Sequence, residues 1–257
     1  MISLRSVTFH YPDGTTVFEG FDWEIAAGEA WSLLGPSGCG KTTLLYLLAG
    51  LYHPTAGEVR VAGELLERPR PRSGLILQDF GLLPWATVRQ NAGLGVQVRG
   101  FYGPDGRHAP RDEAASALRQ QVDYWLERLG IADLAESYPG QISGGQRQRT
   151  AIARTLVLKP DLLLMDEPFA ALDAPTREAL QSLVLQLRAE RRLTLVTVTH
   201  AIEEAALLGE KVLVLHAPPN RAAHVIPNPG GADAAFRDSP AYVAACGRLR
   251  GALEHAA

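Results

Sequence analysis

The run Gly35-Pro36-Ser37-Gly38-Cys39-Gly40-Lys41-Thr42-Thr43 holds three glycines, one lysine and two adjacent threonines within nine residues. Glycines at 35, 38 and 40 let backbone N–H groups converge on phosphate oxygens, helped by the positive end of a following helix. Lys41 adds a compact charge for the β and γ phosphates, and the Thr42 hydroxyl suits Mg²⁺. Lysine otherwise occurs only at Lys159 and Lys211, so a composition that favours arginine keeps lysine where a compact ammonium is needed. The whole run is therefore assigned to binding ATP or GTP.

A second chemical feature is Leu162-Leu163-Leu164-Met165-Asp166-Glu167. Its apolar stretch reads as a strand that delivers two carboxylates to the C-terminal edge of a sheet, where open α/β sheets bind ligands. Asp166 is placed to hold Mg²⁺ and Glu167 to polarise an attacking water. These two features alone also suit a small-molecule kinase or a GTPase.

The elements that must position them alternate between strand and helix. Ile2 to Phe9 and Val17 to Ile25 read as strands joined by the turn Tyr11-Pro12-Asp13-Gly14. Ala30 to Leu34 reads as a buried strand feeding the glycine run, and Lys41 to Ala49 as a helix stopped by Gly50. Short strands are expected at Glu58 to Val61, Leu65-Leu66 and Leu75 to Gln78. From Thr87 to Leu156 the pattern turns helical, with Ala114, Leu118, Val122, Trp125 and Leu129 at helical spacing, and Gly100 to His108 reads as a loop. Alternation resumes with strands at Leu162 to Met165, Leu193 to Val198 and Lys211 to Leu215, and helices at Thr176 to Ala189 and Ala201 to Leu208. Near-continuous apolar strands imply a parallel sheet covered on both faces. A terminal helix is expected from about Pro240 to Leu253.

Composition bounds the class. The chain has 257 residues, 46% hydrophobic and 21% charged, enough for one large domain or one domain with an inserted lobe. No run approaches the roughly 18 apolar residues of a membrane span, and Met1 to Arg5 lacks a signal-peptide core, so a cytosolic chain is expected. Cys39 and Cys246 make no disulfide framework. A formal net charge of -3 argues against wholesale nucleic-acid binding.

Ser143-Gly144-Gly145-Gln146, after the helical stretch and at the start of an arginine-rich helix, decides between the nucleotide-using classes. It is a second anion site at a helix start. In this order with the other two features it resembles the signature of ATP-binding cassette (ABC) proteins, where the serine, the glycine N–H groups and the helix end reach the γ-phosphate held by the opposite protomer. The resemblance implies a stacking role on adenine for Tyr11 and contact with Mg²⁺ and the attacking water for Gln78. It also implies an interface loop at Ala171-Leu172-Asp173 and a γ-phosphate switch at His200.

Gly81 to Val88, Tyr138-Pro139-Gly140-Gln141 and Met165 to Asp173 are similar to the ATPase subunits of bacterial nitrate/sulfonate/taurine-type importers, over about Ser3 to Leu215. The chain departs from that group at Ala170, Gln146 and Ala201, none of which removes a chemical group. The resemblance implies an α/β P-loop NTPase: a RecA-like parallel sheet core with an N-terminal antiparallel β element and an inserted helical subdomain. In numbers, 1–86 and 157–216 form the nucleotide-binding core, 87–156 the helical subdomain and 217–257 a C-terminal extension of a single ABC ATPase domain.

It further implies a peripheral subunit at the cytoplasmic face of the membrane that uses ATP and Mg²⁺. The expected partners are integral membrane permease subunits, a second copy closing over two ATP and, indirectly, a periplasmic or extracellular solute-binding protein. Lys41, Gln78, Glu167 and His200 would be catalytic, and Thr42, Gln78 and Asp166 would hold the metal. The alternatives are the ATPase of an exporter and a soluble ABC protein. Leu82, Leu83 and Trp85 form an apolar cluster that is either core or a groove for a permease helix.

Overall fold

The computed structural model describes residues 1–103, 105–111 and 115–254; Pro104 and Ala114 lie outside them, as do the side chains of 115–119, Leu118 among them. In chain order the elements are β1 (Ile2–His10), β2 (Thr16–Ile25), β3 (Ala30–Leu34), α1 (Lys41–Ala49), β4 (Ala56–Val61), β5 (Glu64–Leu65) and β6 (Ser73–Ile76). The helical stretch follows as α2 (Val88–Tyr102), α3 (Ala115–Arg128) and α4 (Gly144–Leu156). Then come β7 (Leu162–Asp166), α5 (Ala174–Arg191), β8 (Thr194–Val198), α6 (Ile202–Leu208), β9 (Lys211–Val214), β10 (His224–Pro227) and α7 (Pro240–Glu254). The architecture is a P-loop NTPase fold: a mixed sheet with a parallel core, an N-terminal antiparallel element and a helical subdomain.

The elements fall into two units, with β7 and α5 running through both. The first comprises 1–69, 164–167 and 181–257. Here β1 pairs antiparallel with β2 and, on its other side, with β4, which pairs with β5. The alternation of buried Ile2 and Leu4 slips to Val7 and Phe9 because Ser6 takes φ +48 and the β1–β2 register shifts there. Gly57 of β4 allows this: a Cβ on it would stand 2.3 Å from the Ser6 carbonyl oxygen.

The second sheet of this unit runs β10-β9-β3-β8-β7, with β3 parallel to both β8 and β9. All five residues of β3 and of β8 are buried, which is why their sequences are continuously apolar or small rather than alternating. Strand β10, antiparallel to β9, was not foreseen, since four part-exposed edge residues ending in proline carry little strand pattern. Leu34, Ala205, Ala206, Val212 and Val214 form a core cluster that Ala245, Cys246 and Leu249 of α7 complete, so the expected terminal helix does pack back.

The second unit comprises 70–163 and 168–180. Strand β6 borders β7 and ends at Ile76, so Gln78 lies in the turn beyond the strand rather than at its last residue. Helix α2 opens with a capping box between Thr87 and Gln90 and continues through Gly100, Phe101 and Tyr102, which had been read as loop. It stops at Gly103, whose φ of +70 is where a side chain would be strained. Arg99 in its last turn donates to the Pro71 carbonyl. No helix among the described residues is long and apolar enough to cross a membrane.

Candidate functional site

In the first unit, β3 leads through the glycine run into α1. Gly40 takes φ +106 and begins α1 without any side-chain cap, which leaves the helix start to an anion. A Cβ at Gly40 would meet Val17 Cγ1 at 2.5 Å, and one at Gly35 would meet the Leu215 carbonyl oxygen at 2.6 Å, so the run can pass only as glycine at both positions.

Lys41 is 8% exposed and folds back over its own loop, donating to the carbonyls of Gly35 and Pro36 at 2.8 Å each. The Cys39 thiol beneath it is buried, and burial pushes its pKa up from the ordinary thiol value. Tyr11 donates to or accepts from the Thr43 hydroxyl at 2.7 Å, and its ring packs edge-on against Phe9 and Tyr52. That places an aromatic side chain beside the loop.

Strand β7 brings the carboxylates to the same place. The Thr42 hydroxyl donates to Asp166 Oδ1 at 3.2 Å, and Asp166 is 6% exposed. Burial raises its pKa, against the opposing bond from Thr42, while neighbouring Glu167 raises it further. The exposed Thr42 hydroxyl and the buried carboxylate form a hard-oxygen donor pair of the kind that suits Mg²⁺, and a cation would relieve the desolvated carboxylate. Among the described residues no group of three or more His, Cys, Asp or Glu gathers into a metal site.

Glu167 sits at φ +44, a left-handed conformation uncommon for a side-chain-bearing residue, with its N–H bonded to the Val198 carbonyl at 3.0 Å. Its Oε2 stands 3.2 Å from Nδ1 of His200, which follows β8 and is itself mostly exposed. The first unit thus gathers Tyr11, the run 35–43, Asp166, Glu167 and His200.

The second unit carries the remaining predicted residues. Ser143 and Gln146 form a reciprocal capping box at the start of α4: Ser143 Oγ accepts from the Gln146 N–H at 3.3 Å, and Gln146 Oε1 from the Ser143 N–H at 2.8 Å. A Cβ on Gly145 would lie 2.4 Å from Thr176 Cγ2, so a glycine here lets the start of α5 approach the start of α4. Asp173 accepts from the Thr176 N–H at 3.1 Å, which lowers its pKa and makes it the cap of α5.

Gln78 is exposed in its turn. Arg154, near the end of α4, clamps that turn by donating to the Phe80 and Gly81 carbonyls at 2.7 and 2.6 Å. Nothing in the sequence singled out Arg154 among so many arginines; only its burial and its two carbonyl partners do.

A strand, a glycine run starting a helix and a second strand ending in two carboxylates define a P-loop NTPase. The family model described as ABC transporter matches residues 18–170, and the chain belongs to that family as an ATP-binding subunit. Over 256 residues it is 38% identical to an ATP-binding protein from Brucella abortus, covering 99% of this chain and 94% of that protein. It is 41% identical over 224 residues to the taurine import ATP-binding protein TauB from Jannaschia sp., covering 86% of this chain and 79% of TauB.

Among solved structures it resembles cbiO1 from Clostridium perfringens, part of the ABC transporter complex cbiONQ (TM-score 0.73, 26% identity, 89% of this chain and 88% of that one). It also resembles the ATP-binding cassette MJ0796, solved as a dimer in a post-hydrolysis state with ADP and Pi (TM-score 0.73, 29% identity, 88% of this chain and 98% of that one). Family membership supports ATP binding and hydrolysis in general.

Proposed function

We propose that this chain is the ATP-hydrolysing subunit of an ABC importer, closing as a homodimer over two ATP to drive uptake of a small solute of the nitrate, sulfonate or taurine type. The observation that carries the catalytic part is the delivery by β7 of Asp166 to Thr42 and of Glu167 to His200, beside the uncapped start of α1. The solute class rests on the likeness to TauB. The dimer is supported by the likeness to dimeric MJ0796 and by the intact Ser143 to Gln146 segment.

The chemistry follows from the residues. Lys41 exchanges the Gly35 and Pro36 carbonyls for phosphate oxygens, and the N–H groups at the start of α1 bind the same phosphates. Thr42 and Asp166 would hold Mg²⁺, which when bound would offset the charge of the β and γ phosphates. Glu167 accepts a proton from the attacking water while His200 holds the carboxylate in place. Ser143 and the start of α4 in a second copy supply the anion site on the other side of the γ-phosphate, and Tyr11 stacks on the base. The exposed Trp85 supports a docking role for the loop around it, with a permease helix as occupant and the cytoplasmic face of the membrane as the place.

The test is Glu167→Gln. It removes the water-orienting carboxylate and leaves every phosphate donor, so the variant should bind ATP, accumulate as a dimer in sedimentation, and lose at least a hundredfold in turnover, the range of a general base. Hydrolysis at the wild-type rate would sink the assignment.

A further inference from the structure

The floor of the phosphate loop is closed by a segment that carries none of the predicted chemistry. After β9 the chain passes under the loop, and Asn220, only 4% exposed, is hydrogen-bonded on every side. Its backbone N–H donates to the Val17 carbonyl at 2.9 Å and its carbonyl accepts from the Glu19 N–H at 3.0 Å, tying it to β2. Its side-chain Nδ2 also lies 3.5 Å from that Val17 carbonyl. Nδ2 donates to the Cys39 carbonyl at 2.9 Å, and Oδ1 accepts from the His216 N–H at 2.9 Å. A backbone N–H can only donate, so His216 fixes which end of the amide faces it, and the NH₂ must point at Cys39.

We propose that Asn220 is a positioning residue for phosphate recognition. In a planar trans peptide the carbonyl and the next N–H point in opposite directions. Holding the Cys39 carbonyl inward therefore turns the Gly40 N–H outward, at the very start of α1 where phosphate is to be bound. The left-handed φ of Gly40 makes this peptide easy to rotate, since glycine tolerates several backbone conformations and a neighbouring residue must select one. Lys41 cannot select it, because its ammonium bonds to the Gly35 and Pro36 carbonyls and not to that of Cys39. Asn220 is the side chain that does, and it stands 181 positions away in sequence.

The proposal rests on reading this loop as the ATP site. Asn220→Asp keeps the acceptor for His216 but sets a carboxylate against the Cys39 carbonyl; Asn220→Ala removes both the donor to Cys39 and the acceptor for His216. The backbone bonds to Val17 and Glu19 survive in both. Losing the buried bond that orients the Cys39–Gly40 peptide should raise KM for ATP by about tenfold in Asn220→Ala, and by more in Asn220→Asp, with kcat at saturating ATP within about twofold of wild type. Asn228→Asp is the control: Asn228 is equally buried in the same C-terminal segment but bonds the Ala206 and Gly209 carbonyls, so its loss should lower the unfolding temperature and leave KM for ATP unchanged.

Unchanged KM in folded Asn220→Ala would overturn the proposal, and so would an equal rise in KM for Asn228→Asp, which would make the effect one of general loosening. If Asn220→Asp fails to fold, Asn220→Ala alone decides. Failure of the wild-type chain to bind ATP would instead overturn the ATP-site reading along with it.

Discussion

Trp85 is 74% exposed although it lies in a turn whose backbone is firmly held. Asn91, fully buried, accepts from the Leu83 N–H and donates to the carbonyls of Leu83, Ala86 and Thr87, so the loop keeps its shape whatever its tip carries. Replacing Trp85 with Ser thus separates two roles that are usually confounded. A tryptophan buries about 250 Å² when fully enclosed. With about a quarter of that covered here, at about 25 cal/mol/Å², the stability at stake is about 1.5 kcal/mol. Trp125, 2% exposed, gives the contrast: truncating it should cost about 3 to 5 kcal/mol. The assay pairs urea unfolding of the soluble subunit with its assembly on a co-expressed permease pair. Trp85→Ser should unfold within about 1.5 kcal/mol of wild type, hydrolyse ATP alone as wild type does, and assemble at least tenfold less well, as expected for an aromatic anchor. A loss of stability like that of Trp125→Ser would show Trp85 to be core, and full assembly with full stability would show the surface to be unused.

Two further outcomes can be checked directly. Ser143→Arg adds bulk and charge at the start of α4, where Ser143 is exposed, and should abolish ATP-induced dimerisation in sedimentation while nucleotide binding by the monomer persists; an unaltered dimer would contradict the sandwich. The Cys39 thiol, 1% exposed and with its pKa raised by burial, should be modified by iodoacetamide at pH 8 at least a hundredfold more slowly in the native chain than in urea.

The phosphate loop was legible because its chemistry is contiguous: glycine, lysine and threonine act from adjacent positions and need no knowledge of the fold. The buried strands were legible for a related reason, since β3, β7 and β8 are enclosed throughout and write that enclosure as largely apolar runs without strict alternation. What escaped depends on distant partners. The turn formers of Gly100 to His108 read as a loop, yet the chain spends its left-handed residue at Gly103 and the helix runs on to Tyr102. Arg154 and Asn220 acquire their roles from carbonyls 73 and 181 positions away, so no local pattern marks them. Whether Trp85 was core or surface could not be read from residue type, because tryptophan serves both; Asn91, six residues on, settles how the turn presents it.

The left-handed backbone at Glu167 sets the demands of folding against those of chemistry. A non-glycine residue there costs about 1 to 2 kcal/mol in backbone strain, more than the flexibility that glycine would add to the unfolded chain. Glycine at 167 would relieve that strain and remove the carboxylate. The chain therefore carries a strained backbone at the residue proposed to orient the attacking water, the kind of place where such strain collects.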